Sequence, residues 1–128
     1  MKKMITKIST DKAPKAIGPY SQAIKVGNMI YMSGQIPIDV DTGNIEAKTI
    51  SEQAEQVMKN LSAVLTEGGA SLDSIVKTTC FLADIAHFAE FNEVYARYIK
   101  NAPARSCVAV KDLPKGALVE VDAIAVIE

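Results

Sequence analysis

The chain is poor in the residues that usually carry metal, redox and nucleophilic chemistry. It has two cysteines, Cys80 and Cys107, and they form no CxxC pair. Two thiols in a chain of 128 residues do not make a disulfide framework. His87 is the only histidine. A zinc site would need Cys80, Cys107, His87 and carboxylates to converge from distant segments, with no local ligand spacing to help. The sequence therefore implies no metal. No apolar run approaches the ~20 residues of a membrane span, and the opening MKKMITKIST lacks the long apolar stretch of a secretory leader. The expectation is a cytoplasmic protein with no membrane partner. Charge of one sign is also lacking. The formal net charge is −1, which argues against a sequence-independent grip on nucleic acid. Arginine is scarce, occurring at Arg97 and Arg105 alone.

What is present is an ordinary globular balance, 48% hydrophobic and 23% charged. A chain of this length buries roughly 68% of its unfolded surface, enough for one core, so residues 1–128 are expected to form one domain. Met4 to Ile8 reads as a first strand. Ala23 to Val26 and Met29 to Ser33, joined by Gly27-Asn28, read as a hairpin, because these turn residues tolerate positive φ. Ile50, Ala54, Val57, Leu61 and Val64 recur at helical spacing and predict a helix over 50–67. Thr49 and Glu52 fit a capping box at its start, and Gly68-Gly69 a stop at its end.

Ile75 to Ala83, rich in β-branched and aromatic residues, reads as a strand. Asp84 is placed to cap a second helix to about Ile99. Phe88, Phe91, Tyr95 and Tyr98 share one side of that helix and read as core. Arg105 to Val110 and Leu118 to Ile127 complete the order βββαβαββ. The expected class is α+β, a single mixed sheet with two helices on one face. An apolar second face would be left uncovered, so an oligomer is expected.

The opening of the fifth strand, "APARSCVAV" (102–110), sets a permanent charge where a strand enters a core. Strand alternation puts Arg105, Cys107 and Ala109 on one side. In the last strand Glu120, Asp122, Ile124 and Val126 share one side, and Val119, Val121, Ala123, Ala125 and Ile127 the other. Charges are costly to bury unless paired or used. Two readings stay open. Arg105 pairs with Glu120 or Asp122 and fixes a register or a subunit contact. Alternatively, Arg105 awaits a carboxylate ligand, which a guanidinium grips as a planar bidentate fork, and a glutamate nearby moves a proton or activates water.

Cys107 is read as a small packed residue, since no base stands by it as a thiolate would need, though its backbone N–H is free to meet a ligand. Ser33-Gly34 is either a strand end or a place where a ligand approaches the backbone and meets a hydroxyl. Tyr20 is either a core aromatic or a mouth residue with a polar tip.

The blocks "IGPYSQA" (17–23), "SGQIP" (33–37), "NEVYARY" (92–98), "PARSCV" (103–108) and "EVDAIAV" (120–126) resemble, in order and spacing, the RidA/YjgF family of enamine/imine deaminases. The resemblance runs from about Ala16 to Ile127. It implies a chorismate-mutase-like fold and a homotrimer with sites in clefts between subunits. It also implies a 2-iminobutanoate/2-iminopropanoate deaminase, a hydrolase acting on C–N bonds. Such an enzyme converts 2-aminoacrylate and related enamines and imines to 2-oxo acids and ammonia, and so limits metabolite damage. By the same resemblance Arg105 would bind the substrate carboxylate, supported by the backbone at Cys107. Glu120 would position water and handle protons. Tyr20, Ser33 and Gly34 would line the pocket, with Asn92 a further candidate, and no cofactor would be required. Asp122 receives no role beyond that of a neighbour that holds Arg105. The rival readings are a non-catalytic small-carboxylate sensor, a ribonuclease or translation inhibitor, and a chorismate mutase. The last would want more than one cationic anchor for a substrate with two carboxylates.

Overall fold

The computed structural model describes residues 4–128. Lys2 and Lys3, in the segment read for a leader, lie outside the described residues. The element order is β1 (Ile5–Ile8), β2 (Ala23–Val26), β3 (Met29–Met32), α1 (Ile50–Glu67), β4 (Ile75–Leu82), α2 (Phe88–Tyr98), β5 (Ala104–Ala109) and β6 (Val119–Val126). This is the expected βββαβαββ. The strands form one six-stranded sheet in the order β1-β2-β3-β6-β4-β5. Every neighbouring pair is antiparallel except β4 and β5, which run parallel because α2 carries the chain back between them.

The local chemistry explains the elements. Gly27 takes φ 58° between β2 and β3, a conformation cheap for glycine, and the strands pair from Ala23↔Met32 to Val26↔Met29. At the start of α1 the Thr49 side chain accepts from the Glu52 N–H, and the Glu52 carboxylate accepts from the Thr49 N–H. The stripe Ile50, Ala54, Val57, Leu61 and Val64 is buried throughout. The second helix departs from expectation at its entry. Asp84 does cap, accepting from the Ala86 N–H at 2.9 Å, but it caps a short 3-10 turn over Ile85–His87, and α2 begins at Phe88.

Both helices cover one face. Val119, Val121, Ala123 and Ala125 of β6 join them in the core, with Phe91, Val94 and Tyr95 of α2. Removing these side chains from water supplies roughly 1.5–3 kcal/mol for each large one. The other face carries Ile24, Val26, Met29, Tyr31, Phe81, Val108, Ile124 and Val126 by register. Tyr31 and Val108 are each 46% exposed, so the expected uncovered apolar face is there. No helix among the described residues is long and apolar enough to cross a membrane.

Candidate active site

β5 and β6 do not touch. Both pair with β4, one on each side of it. Arg105 is in register with Thr78, and Thr78 with Ala123. Residues directly opposite in a sheet share a face. Thr78 and Ala123 are buried under the helices, so Arg105 projects on the helix side. Glu120 is in register with Phe81, and Asp122 with Thr79, on the open side. Within one chain Arg105 and Glu120 therefore lie on opposite faces, two strands apart, about 10 Å in the pairing direction alone. The expected pairing of Arg105 with Glu120 or Asp122 does not occur in the chain, nor does Asp122 hold Arg105. The physical reason is the insertion of β6 between β3 and β4, which the strand patterns do not encode.

Arg105 is held instead by α2. Its Nη1 donates to Asn92 Oδ1 at 2.7 Å. Its guanidinium carbon lies 4.8 Å from the Tyr95 ring centroid and 5.6 Å from that of Phe88. Phe88, Asn92 and Tyr95 are spaced i, i+4, i+7 and so share a helical stripe. The aromatic stripe is thus only partly core. Phe91 and Tyr95 are buried, whereas Phe88 is exposed beside the guanidinium. Sequence reasoning missed Phe88 and Tyr95 as neighbours of Arg105. The one available signal was that their spacing brackets Asn92. Among the described residues, the one ion pair joins Arg97 to Glu55 at 3.1 Å, and Arg105 has no carboxylate partner.

β5 is an edge strand. The Val110 N–H donates to Leu82 O, so the even-numbered amides of this segment point at β4. Alternation turns the N–H of Cys107 outward along the free edge, next to Arg105. The Cys107 thiol faces Cys80 across the ladder. Burial raises its pKa, with the nearby Arg105 charge opposing. Cys80 is pushed up to about 12, chiefly by burial. Both stay protonated thiols at neutral pH, which fits packing and not nucleophilic chemistry.

A second cluster forms on the opposite side. Gly34 follows β3, and Gln35 bridges Val121 of β6. A Cβ at Gly34 would overlap the Glu120 carboxylate, so glycine lets that carboxylate lie against the backbone, and any larger residue would push the Glu120 side chain aside. Burial raises the Glu120 pKa, and the like charge of Asp122 raises it further. Burial also raises Asp122, partly offset by hydrogen bonds from Thr79 and by the Lys77 charge. Beside Gly34 lies a cavity of about 440 Å³ lined by Tyr20, Ile17, Ile36, Gln35 and Lys115. Tyr20 is 52% exposed, and its hydroxyl accepts from the Ile17 N–H at 3.3 Å, so it is a mouth residue. The Ser33 hydroxyl donates to Ser21 O at 2.6 Å, which commits its proton to the loop. A larger hollow of about 740 Å³ by β1 and the end of α1 contains none of these residues.

The candidate residues thus form two half-sites. Arg105, Asn92 and the Cys107 amide lie together at the free edge of β5. Tyr20 and Gly34 line the cavity, Ser33 precedes Gly34, and the raised-pKa carboxyl of Glu120 lies against Gly34.

The family model described as Endoribonuclease L-PSP matches residues 10–127. A RutC family protein of Pyrococcus abyssi is 55% identical over 119 residues, 92% of this chain and 94% of that protein. The chloroplastic Reactive Intermediate Deaminase A of Arabidopsis thaliana is 45% identical over 119 residues, 92% of this chain and 64% of that protein. The crystal structure of E. coli TdcF with bound serine superposes with a TM-score of 0.91 at 41% identity, covering 96% of this chain and 99% of that one.

Proposed function

The chain belongs to the RidA/YjgF family, matched by the Endoribonuclease L-PSP model, and from that premise we propose that it hydrolyses 2-aminoacrylate and related enamines and imines to 2-oxo acids and ammonia. The observation that carries the reading is the state of Arg105: a guanidinium held by a ring and an amide, with no carboxylate to neutralise it, beside an outward backbone N–H. Such a fork suits the carboxylate of a small 2-imino acid. The serine bound by TdcF and the deaminase name of the Arabidopsis relative agree with a small amino-acid-like substrate.

The enamine 2-aminoacrylate gains a proton at C3 and becomes the 2-iminium form. Water adds to C2 while Glu120 takes its proton. Glu120 then returns that proton to nitrogen and, as the C–N bond breaks, takes the proton of the C2 hydroxyl. Pyruvate and ammonia leave, and Glu120 releases to solvent the proton that balances the one gained at C3. A carboxyl group whose pKa is raised by burial is better suited than an ordinary one both to accept and to return a proton. Neither a metal nor an organic cofactor enters these steps.

Arg105 and Glu120 act on one substrate only if they come from different copies of the chain. The uncovered apolar face supports self-association, and a homotrimer sets the anion edge of one protomer against the pocket of the next. The site then takes Arg105, Asn92 and the Cys107 amide from one protomer, and Glu120, Tyr20, Ser33 and Gly34 from its neighbour. Two charged half-sites of this kind favour turnover over a passive carboxylate sensor. The family description also raises ribonuclease activity. The single His87 and the net charge of −1 give that reading little support.

A trapping competition tests the deaminase. 2-Aminoacrylate is generated in place by a serine dehydratase, and semicarbazone absorbance is followed. The wild type suppresses trapping and Arg105→Ala does not. An unchanged trapping rate with wild type removes 2-aminoacrylate as the substrate and puts the sensor first.

A further inference from the structure

The Thr78 and Tyr95 hydroxyls lie 2.7 Å apart in the core, with Thr78 fully buried and Tyr95 8% exposed. This contact belongs to no part of the site outlined so far. Its consequence is geometric. Thr78 stands on β4 directly opposite Arg105 on β5. The hydroxyl pair pins the far end of the Tyr95 side chain to the same row of the sheet from which Arg105 rises. Phe91, with its ring centroid 5.6 Å away at 50°, packs against the same ring. The ring is thus fixed at its tip and by its neighbour, and the guanidinium lies 4.8 Å from its centroid.

We propose that Tyr95, locked by Thr78, is a positioning residue that holds the Arg105 guanidinium against its ring face and keeps the cation available to the substrate carboxylate, a role that rests on Arg105 being the anchor. The ring quadrupole stabilises a cation without neutralising it. A glutamate or aspartate in the same place would hold Arg105 equally well, but the substrate would have to displace it. Asn92 complements the ring. It accepts from Nη1 and leaves the remaining guanidinium donors for the ligand. The ring sets the plane of the fork and Asn92 sets its rotation in that plane. Phe88, at 5.6 Å, is a second and more exposed contact.

The test uses pyruvate as a small carboxylate probe, titrated against the intact oligomer with the Arg105 side-chain N–H signal followed by NMR, alongside turnover of 2-iminobutanoate. Tyr95→Leu removes the ring. It should raise the pyruvate Kd by roughly three- to thirtyfold, the range spanned by cation–π contacts. The KM should rise in step, with kcat within about twofold of wild type. The double variant Thr78→Val/Tyr95→Phe removes both hydroxyls and keeps the ring and the packing. It frees the ring from its pin and should weaken pyruvate binding measurably, but by less than Tyr95→Leu does. Phe88→Leu, at an exposed position that does not endanger folding, should weaken binding in the same direction but less. A wild-type Kd in Tyr95→Leu overturns the proposal. So does a fall in kcat at constant KM, or a double variant that binds pyruvate as wild type does. Wild type that binds pyruvate but turns over no imine refutes the deaminase, while the ordered Kd series still supports the positioning role. Wild type with no pyruvate response at Arg105 overturns the anchor and this proposal together.

Discussion

The two faces of the sheet handle charge in opposite ways. On the helix side, Arg105 is a cation placed against two aromatic rings and an amide. On the open side, Glu120 and Asp122 are two acids on one strand, half-buried and raised in pKa chiefly by burial, with the Asp122 charge raising Glu120 further. The cation is stabilised without being neutralised, and the acids are left partly destabilised as anions. Placed on the same face, the three groups would collapse into an ion pair and lose both properties. Their separation by the sheet keeps the charges apart within one chain, and in the proposed site a second copy of the chain brings them together. The difference teaches that one chain keeps its free cation and its raised-pKa acids on opposite faces, which is why the proposed site needs two protomers.

The comparison can be broken most severely at the open face. Ile124→Lys sets an unpaired charge in the apolar surface that is proposed to associate. The variant should remain folded by circular dichroism, become monomeric in analytical ultracentrifugation, and lose all measurable deaminase activity. A fully active monomer would show that one chain holds a whole site.

Next in size is Glu120→Gln, which keeps shape and removes the proton carrier. It should lower kcat by about 10²–10⁴-fold, the usual worth of general acid–base catalysis, while pyruvate still binds. Equal turnover would remove Glu120 from the mechanism. Arg105→Ala should cost roughly 10- to 100-fold in kcat/KM, from loss of a charged hydrogen-bonded anchor. The loss should appear in KM more than in kcat.

The smallest effect sharpens the acid pair. Glu120 must be ionised to accept the proton of water, so activity rises with pH through a pKa above the ordinary carboxyl value. Removing the Asp122 charge lowers that pKa, and Asp122→Asn should move the limb of the kcat/KM profile to lower pH. The same shifts bear on stability. Both carboxyls bind protons more tightly folded than unfolded, so their contribution is largest below the unfolded pKa and is lost as pH rises through the folded one. Asp122→Asn should therefore flatten the fall in stability with rising pH across that window, as read by denaturant titration. An unmoved limb would mean that Asp122 and Glu120 do not sense each other.

Much of this fold is written in local patterns. The 3.6-residue period from Ile50 to Val64, with Thr49 and Glu52 before it, sets α1 without reference to the rest of the chain. Gly27 sets the hairpin in the same way. The alternation of β6 gives its buried and open faces correctly. Strand order is another matter. β6 is last in sequence and third from one edge of the sheet, and nothing in its own residues says which neighbours it takes. The face to which Arg105 belongs follows from that order, so the residues of the candidate site were legible and their division into halves was not. The surroundings of Arg105 were hidden for a related reason. Tyr95 reads as core, which it is, and its second contact depends on β5 lying beside β4 under α2.

The central claim is that a working site takes Arg105 from one protomer and Glu120 from another. Arg105→Ala and Glu120→Gln chains, each expected to fall at least about tenfold in kcat/KM on its own and assayed at low substrate, can be unfolded, mixed in equal amounts and refolded together. If the site is shared, an Arg105 from one variant meets a Glu120 from the other at roughly a quarter of the interfaces, and a matching fraction of wild-type activity returns. If activity stays at the level of the separate variants while mass spectrometry shows mixed oligomers, both residues serve the site from a single chain, and the two-half account is wrong.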